Sequence, residues 1–372
     1  ILTIKYMKNI SEVTNCYGCL SCVDRCPTKC ISVTETKLGH QIPHVDQSKC
    51  VECGACIKIC PDITNHDLKM PLSVVAAWNV DINERLKSSS GGIATLIANE
   101  IINGGGVVYG CSFEEPFEFK HIRCENIASL AKLRGSKYVQ SNTVGIYTKI
   151  RQDLKDNRKV LFIGTPCQVT AVNNYFNKPK NLFTVDLICH GVPSVKILKE
   201  SIPKQILNTQ ITNVEFRQNT KYQFSLLKGR FTLYNRPIAT DLYLKAFFTG
   251  LDYRESCYKC RFAHIMRSGD ITLGDFWGLK LKLPVYERGY GVSLCLINSE
   301  KGYNLLRSTN KQTKQHIRSL EEAVLENQPL VHPKKKTFRV RLFNCLYPHI
   351  GFRLATICAI PEIYIKSKII RY

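Results

Sequence analysis

The stretch Cys16-Tyr17-Gly18-Cys19-Leu20-Ser21-Cys22-Val23-Asp24-Arg25-Cys26-Pro27 decides how this chain is read, together with its echo, Cys50-Val51-Glu52-Cys53-Gly54-Ala55-Cys56-Ile57-Lys58-Ile59-Cys60-Pro61. Each copy spaces three cysteines two residues apart, adds a fourth after three more, and ends in proline. Three closely spaced thiolates hold three irons of one cubane, and the fourth, followed by proline, crosses to the other cluster. The spacing therefore assigns Cys16, Cys19, Cys22 and Cys60 to one [4Fe–4S] centre, and Cys50, Cys53, Cys56 and Cys26 to a second. Zinc knuckles also take four ligands each, but zinc does not require the crossed Cys-Pro ends. Cys30, four residues beyond Cys26, reads as a buried core thiol.

Two such copies have the spacing of a two-cluster bacterial ferredoxin, so residues 1–70 are expected to form a ferredoxin-like domain with a lead-in strand over 1–13. Pro61 and Pro71 bracket its end. The chain has 372 residues, room for two or three domains, and 18 cysteines. Cysteines at metal spacing in a long chain point to a reducing compartment. Residues 1–10 carry lysines without a long apolar run, and no segment approaches transmembrane length. A cytoplasmic protein is the expectation. The formal charge of +22, from 52 Lys and Arg against 30 Asp and Glu, falls by roughly six if three clusters are bound. A basic chain suits an acidic electron donor, an anionic substrate or an anionic membrane face. It shows no nucleic-acid module and no interleaved aromatic–basic pattern.

Beyond residue 70 apolar runs alternate with helical periodicity, so the fold class is α+β with an α/β core. Residues 71–200 open with a buried strand over 73–80. Ser88-Ser89-Ser90-Gly91-Gly92 then leads into a helix marked by Ile93, Leu96, Ile97 and Ile101. Serines can cap its free N–H groups, glycines let a ligand approach, and a helix start of this kind favours phosphate. A strand over 159–163 meets Gly164-Thr165-Pro166-Cys167-Gln168, and another over 181–189 ends in Cys189-His190-Gly191. Both cysteines then sit at the carboxyl ends of strands, where open α/β sheets bind ligands. Residues 201–332 alternate like antiparallel strands and contain Cys257-x2-Cys260 and Gly269-Asp270-Ile271-Thr272-Leu273-Gly274-Asp275. The tail, 333–372, mixes lysine and arginine with apolar residues. Phe338, Arg339, Arg341, Leu342, Phe343, Tyr347 and Phe352 there suit either a membrane-facing surface or an ordinary docking helix.

Taken together, Ser89-Ser90-Gly91-Gly92, Gly135 to Ser141, Gly164 to Gln168, Asp186 to Pro193, Cys257-x2-Cys260 and Gly269 to Gly278 resemble the beta subunits of coenzyme F420 hydrogenases and dehydrogenases, and the related 7-hydroxymethyl chlorophyll a reductases. The resemblance implies a mixed-sheet FAD-binding domain that exchanges electrons with clusters. It places Ser89, Ser90, Gly91, Gly92, Lys137, Tyr138, Gln140, Thr165, Gln168 and Asp275 on the flavin. Lys137 would offset negative charge on reduced flavin or phosphate; without the resemblance it reads as a solvated lysine. The resemblance also points to Cys167, Cys189, Cys257 and Cys260 as ligands of a third [4Fe–4S] cluster. The rival is a catalytic thiol at Cys167 beside a zinc-like Cys257/Cys260 pair. Cys167 at a helix N-terminus would be stabilised as thiolate. His190 is the candidate to carry a substrate proton, or else it only hydrogen-bonds a cluster sulfur or the backbone. Cys111, Cys124, Cys295, Cys345 and Cys358 lack metal spacing and read as core thiols. Two functions are open. One is an enzyme that reduces or oxidises an organic acceptor, such as F420 or another small molecule. The other is a subunit that only passes electrons to a partner protein.

Overall fold

A computed structural model describes residues 7–64, 67–283 and 289–362. Near the N-terminus the short helices Ser21–Arg25 and Ala55–Lys58 each carry the third cysteine of a copy, Cys22 and Cys56. Strands β1 (Ile31–Glu35) and β2 (Gln41–Val45) pair antiparallel between them. The lead-in strand differs from expectation in its described part. Ile10–Glu12 forms a single helical turn because the Asn9 side chain accepts from the Ser11 N–H and caps it.

The remaining strands are β3 (Ser73–Asn79), β4 (Val107–Glu114), β5 (Glu118–Cys124), β6 (Val160–Gly164), β7 (Leu182–Leu187), β8 (Asn213–Gln218), β9 (Lys221–Lys228), β10 (Phe231–Pro237), β11 (Ile271–Asp275), β12 (Ser293–Ile297) and β13 (Thr313–Arg318). Eight of them form one mixed sheet in the order β13-β3-β12-β11-β7-β6-β4-β5. The pairs β4–β6, β6–β7 and β7–β11 are parallel; the others are antiparallel. The central strands are continuous apolar runs because both faces of the sheet are covered. Ile93, Ile97 and Ile101 of helix Ile93–Asn103 pack with Val108, Leu161, Val185 and Leu273 in one core. Tyr147, Val169 and Val172, from helices Ile146–Lys155 and Pro166–Phe176, pack with Tyr109, Phe162 and Leu182 in another. Lys314, His316 and Arg318 lie on edge strand β13, where polar side chains discourage further pairing. Strands from both sides of residue 200 thus interleave in one sheet.

Strands β8–β10 form a separate antiparallel meander. It shares an aromatic core with helix Leu242–Thr249 and the C-terminal helix Phe338–Ala359: Phe216, Phe224, Tyr243 and Phe247 meet Phe343 and Phe352. The described part of the tail therefore contains a docked helix, Phe338–Ala359. Phe343, Tyr347 and Phe352 face inward, Phe338 stays exposed, and the helix kinks at Gly351. No helix among the described residues is long and apolar enough to cross a membrane.

Candidate functional site

The N-terminal cysteine segment packs on helices Ile146–Lys155 and Pro166–Phe176, which cover the large sheet. The Asp24 carboxylate accepts from the Gly145 and Tyr147 N–H groups at 2.8 and 3.1 Å, capping helix Ile146–Lys155 from outside it. The Cys19 carbonyl accepts from Thr143 Oγ1 at 2.7 Å and from the Tyr147 hydroxyl at 3.2 Å. Ser256 Oγ donates to the Cys16 carbonyl at 2.9 Å. Each contact ties a cluster-motif segment to the sheet domain.

The motif cysteines gather in three groups. Cys22 lies near Cys19, Cys16 and Cys60, and also near Cys56 of the second set. Cys26, Cys50, Cys53 and Cys56 line one small cavity. Cys189 lies near Cys257, Cys167 and Cys260. Cys19 also feels Cys167, so the group at residues 16–22 stands between the other two. Among the described residues no three His, Cys, Asp or Glu side chains converge as a single metal ion needs. Burial, then Cys260, pushes the Cys167 thiol up to about 12. Cys167 does occupy the first turn of helix Pro166–Phe176. Burial and neighbouring sulfur thus outweigh the helix N-terminus, which does not by itself stabilise the thiolate.

Beyond the third group opens a cavity of about 320 Å³ at the carboxyl ends of the parallel strands. Its wall brings together segments far apart in sequence: Ser88 to Ser90 with Gly92, Ser136 to Val139, Thr165 with Gln168, Cys189 with His190, and Asp275. Gly91 lies beneath, not in the wall. A Cβ there would meet the Ala77 carbonyl oxygen at 2.4 Å, so glycine alone lets the turn seat on β3. The serines do not cap the helix they precede. Ser88 Oγ donates to the Glu84 carbonyl, Ser89 Oγ accepts from the Ser136 N–H at 2.9 Å, and Ser90 Oγ donates to the Val292 carbonyl at 3.0 Å. Gly92, at φ 83°, begins helix Ile93–Asn103 without a side-chain cap, and Ile93 to Thr95 border the cavity.

Lys137 is half-buried in the wall, and its Nζ donates to the Lys132 and Arg134 carbonyls at 3.2 and 2.6 Å. Burial pushes its amine down to about 8, against the pull of nearby Cys111. Tyr138 stacks on Phe247 with centroids 4.5 Å apart. Gln140 faces away from the cavity: its Oε1 accepts from the Gln41 N–H at 2.9 Å and its Nε2 donates to the Gln41 carbonyl, so it joins the two domains. Thr165 donates through N–H and Oγ1 to Gln168 Oε1, and Gln168 Nε2 donates to Ser141 Oγ at 3.0 Å. His190 borders the cavity, and enclosure by protein, then Lys334, holds its imidazole below the ordinary value.

Sequence reasoning missed several wall residues. His121 stacks on Phe162 and bonds Ser141 and the Ile163 carbonyl, both at 3.1 Å; burial pushes its imidazole down to about 4. Arg217 pairs with Asp275 at 2.6 Å and lies over the Tyr222 ring at 4.6 Å. Its Nε has no hydrogen-bond partner although buried. Cys111 also lines this cavity, whereas Cys345 and Cys358 are exposed on the C-terminal helix; only Cys124 and Cys295 are the core thiols expected. No short motif marks His121 or Arg217.

Residues 157–323 match the family described as the C terminus of the coenzyme F420 hydrogenase/dehydrogenase beta subunit, and residues 15–62 match the 4Fe-4S dicluster domain. The chain thus carries a segment similar to the dicluster domain, followed by a longer segment similar to the C terminus of those beta subunits. It is an iron–sulfur protein with two cluster sites in its N-terminal part, related to those beta subunits. An uncharacterised protein of Methanocaldococcus jannaschii is 23% identical over 354 residues, covering 83% of this chain and 88% of that protein. A subunit of an ion-translocating oxidoreductase complex from Methanosarcina acetivorans is 44% identical over 57 residues, covering 15% of this chain and 19% of that subunit's length. Among solved structures, a chain of the F420-reducing [NiFe] hydrogenase complex from Methanosarcina barkeri superposes with a TM-score of 0.49 at 19% identity, covering 83% of this chain and 94% of that one.

Proposed function

We propose that the chain is an iron–sulfur flavoprotein oxidoreductase that carries single electrons along three [4Fe–4S] clusters to FAD in the large cavity, for exchange with an organic acceptor such as F420 or another small molecule. The observation that carries this reading is Cys189, which belongs both to a four-cysteine group and to the cavity wall. Bound FAD would supply the change in electron number, one at a time toward a cubane and two at a time as hydride. The chain's own residues support that use. The uncapped start of helix Ile93–Asn103 offers N–H groups to a phosphate. The Lys137 amine offers a cation to a reduced ring or a phosphate. Asp275 holds the Arg217 guanidinium over the Tyr222 ring, a fixed positive group in the cavity wall. Ser141 and Gln168 hold His121 in one tautomer, donating from Nε2 to the Ile163 carbonyl, so the ring is a support and not a proton source. His190, beside Cys189, is the candidate for moving a substrate proton.

The test is anaerobic purification. About twelve irons per chain are expected, with FAD released on denaturation. Eight irons would remove the third cluster, and FMN or no flavin would overturn the cavity's assignment. Cys167→Ser should lose about four irons and keep the dicluster pair. Unchanged iron would refute the ligand set.

A second reading is favoured by the family itself, whose description is that of a beta subunit. In it the chain passes electrons to or from a separate catalytic subunit and has no substrate of its own. Stable co-purification with such a subunit, and no flavin reoxidation by any small acceptor after dithionite reduction, would decide for it.

A further inference from the structure

The small cavity of the dicluster domain is walled by five cysteines where a cubane takes four: Cys26, Cys50, Cys53, Cys56 and, in addition, Cys30. Cys30 Sγ stands 3.4 Å from Cys26 Sγ. Backbone contacts hold it there. Lys29, at φ 53°, turns the chain through the left-handed region immediately before it. Next, the Cys30 carbonyl accepts from the Asp46 N–H at 2.8 Å, which pins it to the end of β2. Cys26 is half-buried beside the exposed Pro27, Thr28 and Lys29, whereas Cys30 is 5% exposed. Two sulfurs this close can both stand at a metal–sulfur distance of about 2.3 Å from one centre. The iron served by Cys26 therefore lies within reach of a second thiol.

We propose that Cys30 is a reserve ligand of the cluster held by Cys26, Cys50, Cys53 and Cys56, able to replace Cys26 at its iron. The exchange moves no electrons. Cys30 gives up its proton and binds the iron as thiolate, and Cys26 leaves the iron and takes up a proton. The proposal rests on the reading of the eight dicluster cysteines as cluster ligands, and its test separates the two.

The measurement is iron and acid-labile sulfide per chain, with the EPR spectrum after dithionite reduction, on full-length anaerobic protein. Cys26→Ala and Cys30→Ala are each expected to keep wild-type iron. The double variant Cys26→Ala/Cys30→Ala should lose about four irons and one cluster's EPR signal. Cys53→Ala, whose ligand lies on the exposed side of the cavity, should lose the same amount with Cys30 intact. If Cys26→Ala loses as much as the double variant while Cys53→Ala also loses its cluster, Cys30 is only a wall thiol and the proposal fails, with the cluster reading intact. If Cys53→Ala keeps all its iron, the cluster reading fails and takes the proposal with it. Should Cys26→Ala not fold, Cys26→Gly serves in the same comparison, and equal iron with and without Cys30 overturns the proposal.

Discussion

Lys137 sets a charge in the cavity wall at a cost to the fold. Its amine is pushed down to about 8 by burial, while the unfolded chain keeps an ordinary lysine near 10.4. Below pH 8 both states are protonated, and the folded state bears the full cost of the enclosed charge. Between pH 8 and about 10.4 the unfolded chain holds the extra proton, so stability rises with pH there. Lys137→Met should therefore stabilise flavin-free protein by about 1 kcal/mol at pH 7, a figure reduced because the side chain is only half-buried. The advantage should vanish by about pH 10, and flavin retention should weaken while iron stays constant. Denaturant unfolding at the two pH values, with flavin and iron counts, checks this. Equal stability of variant and wild type at pH 7 would mean that the amine is solvated.

Single elements carry cysteines only because other elements hold them. Strand β7 carries Asp186, fully buried, one residue before its end, and the loop after Cys260 sends back Arg267. Arg267 Nε and Nη2 donate to Asp186 Oδ1 at 3.0 and 2.6 Å, and Asp186 Oδ2 accepts from the Gly269 N–H at 3.0 Å. Arg267 Nη1 also donates to the Phe262 carbonyl at 2.9 Å, two residues past Cys260. The pair thereby sets Cys260 against Cys189, which follows β7. Removing one member of a buried pair strands the other as an unpaired charge, at about 3–5 kcal/mol. Arg267→Ala should lower stability by that amount and, if the proposed third cluster is bound by Cys167, Cys189, Cys257 and Cys260, lose its iron before the dicluster iron. Stability loss with all iron retained would separate the pair from the cluster.

At the scale of the whole molecule, the two domains share one core. Cys19, Cys22, Ile57 and Ile59 pack in the same cluster as Tyr147, Val169 and Val172. Neither surface can leave the other without exposing apolar area worth about 1.5–3 kcal/mol for each large side chain. Holoprotein should therefore unfold in one calorimetric transition, with cluster bleaching and loss of helical signal at the same temperature. Two separated transitions would show the dicluster domain to be an independent unit. The same packing places the cysteine groups in series, with the second set at the outer end and Cys189 at the cavity. Cys53 is the exposed cysteine of the outer set, and under the proposed function it marks where an electron partner would approach.

Local chemistry is written locally, and so it was legible. Cysteines at two- and three-residue spacing announce a cluster motif, and apolar runs over β3, β6 and β7 announce buried strands. The Ser/Gly turn and the cysteines after β6 and β7 could be set near a ligand because strand ends converge in an α/β sheet. What the linear chain left open depends on partners hundreds of residues away. Gln140 reads like a wall residue of its loop, yet Gln41 claims it. Cys111 and Cys295 look alike by spacing, yet one borders a cavity and the other lies within a core. The tail's apolar residues carry no mark of inside or outside until the meander and helix Leu242–Thr249 offer a face to cover. Sequence by itself determined which atoms can hold iron, since ligand type and spacing travel with the chain. Tertiary structure alone decided which groups of four stand near one another and which walls enclose the cavity, because those distances arise from sheet order and packing.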